Sequence, residues 1–510
     1  MKKVFFTVLL VLPSLLHAQN ATIKIDIERR IGDIDPRIYG VFMEPIQFSG
    51  KRFGLPDSVQ FNTLYGTLYD PASPLADENG FKKNYIEGMK ELKITNMRWP
   101  GGNFLMGYNW QDGIGPRQQR PARINLAWGG IDNNHVGTDE WIALNKAIGS
   151  ENVVCVNLGL GDIKDAIYWL EYCNYPTGTY YSDLRAKNGH REPYKIKLWD
   201  LGNEVDGYPW ELGYKTAEEY VRIGREAAKA MTAVDSTIQL VASGSSYYEG
   251  TGIWLDWNRK VLEGLGDKIG YLSIHRYWER SDDYYDFMGQ SAMDFEEKIK
   301  VPAAQIAAAR VKNGIKKPIY LSVDEWGIMS RNALSVLPVA QCFNAFLRHA
   351  DVVKMANFTL LTALLGSDNK KGTFKTPLFY IFKAFSNNCR GTSVDTYTDC
   401  DQFNTTKASG IPYLDVTTTY SKETNTVFIN VVNRHKEKAI TADIMATSGA
   451  FNGKAEASLI AGASLNEAYE FDKQDQYMPV KKAVDTRGKQ LTYTFPPHSF
   501  TQIKAGVVLK

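Results

Sequence analysis

Between residues 38 and 385, short apolar β-rich runs alternate with longer stretches in which apolar residues recur every three or four positions. Eight runs stand out: Ile38–Glu44, Thr95–Trp99, Val153–Leu158, Ile196–Leu201, Ile238–Ala242, Tyr271–His275, Ile319–Asp324 and Lys354–Leu361. That is the βα rhythm of a parallel sheet, and eight strands is the number that closes a (β/α)8 TIM barrel. The segments Ala217–Thr232 and Ala303–Lys312 carry the helical period between strands. A doubly wound open sheet would place GxGxxG after its first strand, and none opens a helix there.

Past Phe385 the pattern changes to strands separated only by turns: Tyr413–Tyr420, Thr426–Val432, Ile440–Met445, Glu456–Ile460, Leu491–Phe495 and Thr501–Ala505. This predicts a C-terminal antiparallel β-sandwich. The lone alternating strand Ala21–Glu28 is expected to complete the sandwich, because a closed barrel has no vacant edge. The first twenty residues, MKKVFFTVLLVLPSLLHAQN, read as two lysines, an apolar run and a small-residue cleavage site. The organisation expected is a signal peptide at 1–18, an N-terminal strand segment at 19–37, a catalytic barrel at 38–385 and a sandwich at 386–510, in a protein exported to the periplasm or medium.

Composition adds exclusions. A net charge of +2 with dispersed lysines and arginines gives no stripe for nucleic acid, and no later segment is apolar enough to span a membrane. Five cysteines leave at least one unpaired; Cys389 and Cys400, in a polar stretch, are the pair able to bridge, and Cys155, Cys173 and Cys342 are expected as buried thiols. No CxxC or HExxH spacing supports a metal, and no cofactor is implied. Aromatics at 12% suit a cleft that stacks on ligands.

Barrel active sites gather at the C-terminal ends of the strands. Six of the eight runs end there on polar residues: Glu44, Arg98, Asn157, Asn203-Glu204, His275 and Glu325. Two carboxylates across one bond are what glycoside hydrolysis needs, one to protonate the leaving oxygen and one to attack or to activate water. Glu204 ends the fourth run and Glu325 the seventh. Asn203 can reach a sugar hydroxyl, Trp326 is expected as an aromatic wall, and His275 and Tyr277 as partners that tune the carboxylates. Trp110 and Trp128, on the long loop after the second run, are candidates to shape outer subsites.

These residues carry a resemblance. RWPGGNF at Arg98–Phe104, YNWQDGIGPRQQRP at Tyr108–Pro121, GTDEW at Gly137–Trp141, LGNEVDG at Leu201–Gly207, DEW at Asp324–Trp326, AFLRHADVVKMAN at Ala345–Asn357 and PPHSFT at Pro496–Thr501 resemble glycoside hydrolase family 51, the α-L-arabinofuranosidases. The resemblance implies Glu204 as general acid/base and Glu325 as nucleophile of a retaining enzyme. It also implies Glu44, Asn103, Asn203 and Tyr277 as furanose ligands, with Arg98 favouring the ionised nucleophile. The implied partners are arabinose- or other furanose-containing glycans, and a homo-oligomer is in keeping with the hexamers and other assemblies of the family.

Two departures bear on specificity. Leu360 and Ala363 stand where the family has a glutamine ligand and an asparagine, and Glu44 is followed by Pro45 rather than histidine. A leucine cannot pair a buried hydroxyl, which costs roughly 1–3 kcal/mol when left unmet. The readings open at this stage are exo-cleavage of α-L-arabinofuranosides, action on a galactofuranoside or D-arabinofuranoside, endo-cleavage by a glycanase of the same clan, and a non-catalytic carbohydrate binder. The last would have lost one of the two glutamates, and both are present.

Overall fold

The computed structural model describes residues 19–49, 60–207, 212–248, 253–278, 281–328, 333–368, 372–461, 465, 467 and 469–509. The proposed signal peptide and part of the loop after Glu44 lie outside the described residues. Eight parallel strands close a barrel in chain order: Gly40–Phe42, Asn96–Trp99, Glu151–Val156, Leu198–Leu201, Gln239–Ala242, Tyr271–Trp278, Tyr320–Ile328 and Val353–Phe358. Each pairs in parallel with the next, and the eighth returns to the first through Asn357 and Phe358 against Gly40 and Val41. Their near-continuous apolar runs reflect burial on both faces. Inside the barrel Val153, Leu198, Val241, Tyr271 and Met355 pack as an apolar plug, so polar groups on the same strands lie above it, toward the C-terminal face.

The ends of the predicted runs shift for local reasons. Residues Pro36–Tyr39 form a 3-10 turn instead of strand, started by Pro36 and by the Asp35 side chain, which accepts from the Arg37 amide. The eighth strand stops at Phe358, and Leu361–Leu364 turn into a short helix. The helix expected at Ala217–Thr232 runs Ala217–Val234 behind a Thr216/Glu219 capping box. The one expected at Ala303–Lys312 is the end of Phe295–Asn313.

The second sheet has ten strands, with Gln19–Ile34 between Gly391–Asp399 and Ile440–Ala446. The N-terminal strand is antiparallel to the first neighbour and parallel to the second, so the sandwich is mostly rather than wholly antiparallel. Ile23, Ile25 and Ile27 face its core with Val394, Ile429, Ile444 and Ile503, while Lys24 between them is exposed. Strand Gly391–Asp399 was read as turn-rich polar sequence, and it removes the bridge considered between Cys389 and Cys400. Nine extended residues hold the two thiols roughly 30 Å apart along the chain. All five cysteines are free.

Barrel and sandwich meet over a buried ion network. Glu296 accepts from Arg348 Nε at 2.5 Å and meets His349 Nε2 at 2.5 Å, while Arg348 Nη1 reaches Asp415 of the sandwich at 2.7 Å. Burial pushes the Glu296 carboxyl up, but Arg348 and His349 outweigh it and hold it well below the usual range. A depressed carboxylate contributes stability that is complete above its unfolded pKa, near 4.5, and is lost as pH falls below that value. Glu296→Gln should therefore destabilise the protein by about 3–5 kcal/mol at neutral pH. Thermal melts should show the gap between wild type and variant shrinking as the pH falls below the unfolded value.

Candidate active site

Alternation along a strand would send Asp324 and Glu325 to opposite faces. The seventh strand avoids this with a bulge: Ser273 pairs with Ser322 and His275 with Glu325, so one residue of the sixth strand opposes two of the seventh. Both carboxylates then reach one imidazole. His275 Nε2 lies 3.1 Å from Asp324 Oδ1, and Nδ1 lies 2.9 Å from Glu204 Oε1 and 3.8 Å from Glu325 Oε2. Burial lowers the proton affinity of His275, but Glu325, Asp324 and Glu204 together raise it well above the ordinary value, making it an imidazolium.

Glu204 follows Asn203 and sits at φ +44°, in the left-handed region that few L-residues adopt. Strain of this kind is held by its surroundings and gathers at functional sites. The turn aims the side chain back over the barrel mouth. A carboxylate oxygen of Glu204 and one of Glu325 come within 4.8 Å of each other. That is the close spacing of a retaining pair, whose carboxyl groups stand about 5–5.5 Å apart. These two glutamates and His275 are also the donor cluster, among the described residues, tight enough for a cation.

Arg98 lies inside the barrel rather than at its rim, 1% exposed. Its Nη1 donates to Glu325 Oε1 at 2.8 Å, Nη2 to Asn203 Oδ1 at 2.7 Å and Nε to Asp200 Oδ2 at 2.7 Å. Tyr277 donates to Glu325 Oε2 at 2.6 Å. Burial is the largest influence on the Glu325 carboxyl and leaves it raised; His275, Arg98 and Tyr277 pull it back, and Glu204 pushes it further up.

Glu44 forms the opposite wall. Its Oε1 accepts from the Phe104 amide at 2.6 Å and from Trp128 Nε1 at 2.7 Å. Burial and then the charge of Glu325 raise its carboxyl to about 8, against those two hydrogen bonds. The RWPGGNF motif acquires a steric reason here: a Cβ at Gly101, itself at φ +117°, would stand 2.7 Å from Glu44 Cβ, and one at Gly102 2.8 Å from Glu44 Oε2. Asn103 follows directly, 3.5 Å from the Asn203 amide.

Glu44, Arg98, Asn103, Asn203, Glu204, His275, Tyr277 and Glu325 thus come together at one site, and two expectations are corrected. Trp326 is no wall of it: fully buried, it points out of the barrel and packs edge-on against Phe343, Phe346 and Phe358. Asn157 spends its amide nitrogen on the Leu105 and Met106 carbonyls and so shapes the loop instead of facing ligand. Of the two loop tryptophans, Trp128 enters the pocket and Trp110 stacks on Trp169, 6.0 Å away, fixing the loop to the barrel. Asp324, in the DEW motif, and Asp200, in the fourth apolar run, have no role in that reading. The signal available was a charged residue at an inward position of an otherwise apolar strand.

A family model described as the alpha-L-arabinofuranosidase 1 domain matches residues 88–288, and one described as the alpha-L-arabinofuranosidase C-terminal domain matches 324–499. Intracellular exo-alpha-(1->5)-L-arabinofuranosidase 1 of Bacillus subtilis (strain 168) is 36% identical over 448 residues, 83% of this chain and 86% of its own. A family 51 alpha-L-arabinofuranosidase structure from Bifidobacterium longum aligns with a TM-score of 0.87 at 28% identity, covering 96% of this chain and 99% of that one. The arabinose complex of the Thermotoga maritima alpha-L-arabinofuranosidase aligns at 0.84 and 30% identity, over 96% and 100%. The expectation of export is overturned here. The relatives from B. subtilis, Halalkalibacterium halodurans and Acetivibrio thermocellus are all named intracellular, which points to a cytoplasmic rather than an exported protein.

Proposed function

Because the chain belongs to glycoside hydrolase family 51, the α-L-arabinofuranosidases, and is a retaining exo-α-L-arabinofuranosidase, we propose that Glu204 is its acid/base and Glu325 its nucleophile. The observation that carries this reading is the close approach of the two carboxylates over an imidazolium and a buried guanidinium. Arg98 fixes Glu325 Oε1 from within the barrel, so Oε2, beside Tyr277, is the oxygen that attacks the anomeric carbon. Glu204 gives its proton to the departing glycosidic oxygen, and a glycosyl ester on Glu325 remains. In the second half Glu204, now a carboxylate, takes a proton from water, which displaces Glu325 and restores the starting anomeric configuration.

Glu44, Asn103, Asn203 and Tyr277 bind the furanose hydroxyls. With its carboxyl raised to about 8, Glu44 keeps a proton at neutral pH and can donate to one hydroxyl. The substrate is a terminal α-L-arabinofuranosyl unit, of the α-1,5-linked kind named for the bacterial relatives. Leu360, half-buried at the start of the Leu361–Leu364 turn, and Ala363, packed on the barrel core, lack side-chain hydrogen-bonding groups. Recognition therefore rests on the opposite wall, built by Glu44 and Trp128.

The test is kinetics on a panel of nitrophenyl furanosides, with products followed on linear α-1,5-arabino-oligosaccharides and arabinoxylan. The expected result is a kcat/KM maximum on the α-L-arabinofuranoside, release of arabinose as monomer, and methyl α-L-arabinofuranoside when methanol is present. A maximum on the galactofuranoside or D-arabinofuranoside, the outcome that Leu360 would favour, overturns the substrate assignment. A β-methyl product overturns the roles given to the two glutamates.

A further inference from the structure

Beneath the catalytic pair the barrel interior holds more carboxylate than its cations balance. Arg98 and His275 face Glu204, Glu325, Asp200 and Asp324, all within one connected cluster. Asp324 has two partners on Oδ1, which accepts from Ser273 Oγ at 2.5 Å and meets His275 Nε2 at 3.1 Å, while its buried Oδ2 accepts no hydrogen bond and lies 3.9 Å from Arg98 Nε. Among the described residues Asp200, 2% exposed, accepts a single hydrogen bond, from Arg98 Nε to Oδ2, and its buried Oδ1 has no partner. An ionised carboxylate left underpaired at such depth costs several kcal/mol, and taking up a proton is the cheaper state.

We propose that Asp200 is a positioning residue that carries a resident proton, which leaves the charge of Arg98 to Glu325. This rests on Glu325 being the nucleophile. The groups facing Asp200 are Arg98 from the second strand, Cys155 from the third, Tyr220 from the helix outside, His275 from the sixth strand and Asp324 from the seventh, and Arg98 links it to Glu325. Neither Cys155 nor Tyr220 compensates a negative charge: the Cys155 thiol donates to the Gly202 carbonyl and the Tyr220 hydroxyl to the Leu201 carbonyl. Burial is the largest influence on Asp200 and Asp324 adds to it; with Arg98 pulling back, the carboxyl is raised to about 7. Asp324, with burial outweighed by His275 and Arg98, is lowered and stays ionised. An ionised Asp200 would share the guanidinium with Glu325 and raise the proton affinity of the nucleophile.

Asp200→Asn has nearly the shape of the protonated acid and its lack of charge, so it separates the two states. Infrared difference spectra between wild type and D200N at pH 6 should show a protonated-carboxyl stretch present only in the wild type and lost as pH is raised through about 7. The acid limb of kcat/KM, which reports the free enzyme's essential base, should coincide in the two proteins, with kcat/KM within about threefold. If Asp200 is ionised, no such band exists and D200N shifts the acid limb downward by roughly one pH unit, because a negative charge has been removed beside Glu325. Either of those results overturns the proposal. Should D200N fail to fold, the difference spectra are taken between wild type and Asp200→Ser instead; no band at pH 6 present only in the wild type then overturns it. The infrared band does not depend on which glutamate is the nucleophile, so its presence with failure of the Glu325 assignment would be recognisable.

Discussion

Glu325→Ala should lower kcat on an aryl α-L-arabinofuranoside by on the order of 10^4- to 10^6-fold, the scale of losing a covalent nucleophile. Azide fits the space that alanine leaves and attacks from the face that Glu325 occupied. The rescued product should therefore be the β-L-arabinofuranosyl azide, inverted relative to substrate. The fold should survive, since Arg98 keeps Asp200 and Asn203 as partners, and a melting curve checks it. Activity comparable to wild type, or an azide product of α configuration, would remove Glu325 from the role.

Glu204→Ala should lower kcat on arabino-oligosaccharides by about 10^2- to 10^4-fold, the usual worth of a positioned general acid. An alkoxide leaving group needs the proton, whereas a dinitrophenolate leaves without it, so the loss on an activated aryl substrate should be much smaller. With such a substrate the glycosyl ester on Glu325 accumulates, and azide should collect it as the α-L-arabinofuranosyl azide. Equal losses across leaving groups would mean that Glu204 acts on the nucleophile or on binding. The opposite stereochemistry expected of the two azide products makes each variant a control for the other.

The fold was legible because a parallel barrel writes itself into local pattern. All eight runs became strands in the expected order, and errors were confined to their ends, where Pro36 and the turn after Phe358 decide. Strand Gly391–Asp399 escaped notice because threonine and aspartate make GTSVDTYTD look like a turn; tertiary pairing with Gln19–Ile34 overrides that composition. The candidate site was legible as a set of residue types at strand ends. Trp326 was misplaced because its neighbour Glu325 faces inward and alternation sends it the other way.

The sequence by itself determined which side chains stand at the mouth of the barrel, since strand order and inward alternation depend on near neighbours in the chain. The tertiary structure alone decided how they act together. The bulge that turns Asp324 and Glu325 to the same imidazole is a property of two paired strands, visible in neither one. The balance of charge beneath them is likewise collective: Arg98, Asp200, His275, Asp324 and Glu325 come from four strands. The state of each is set by how far the others, and burial, remove it from water.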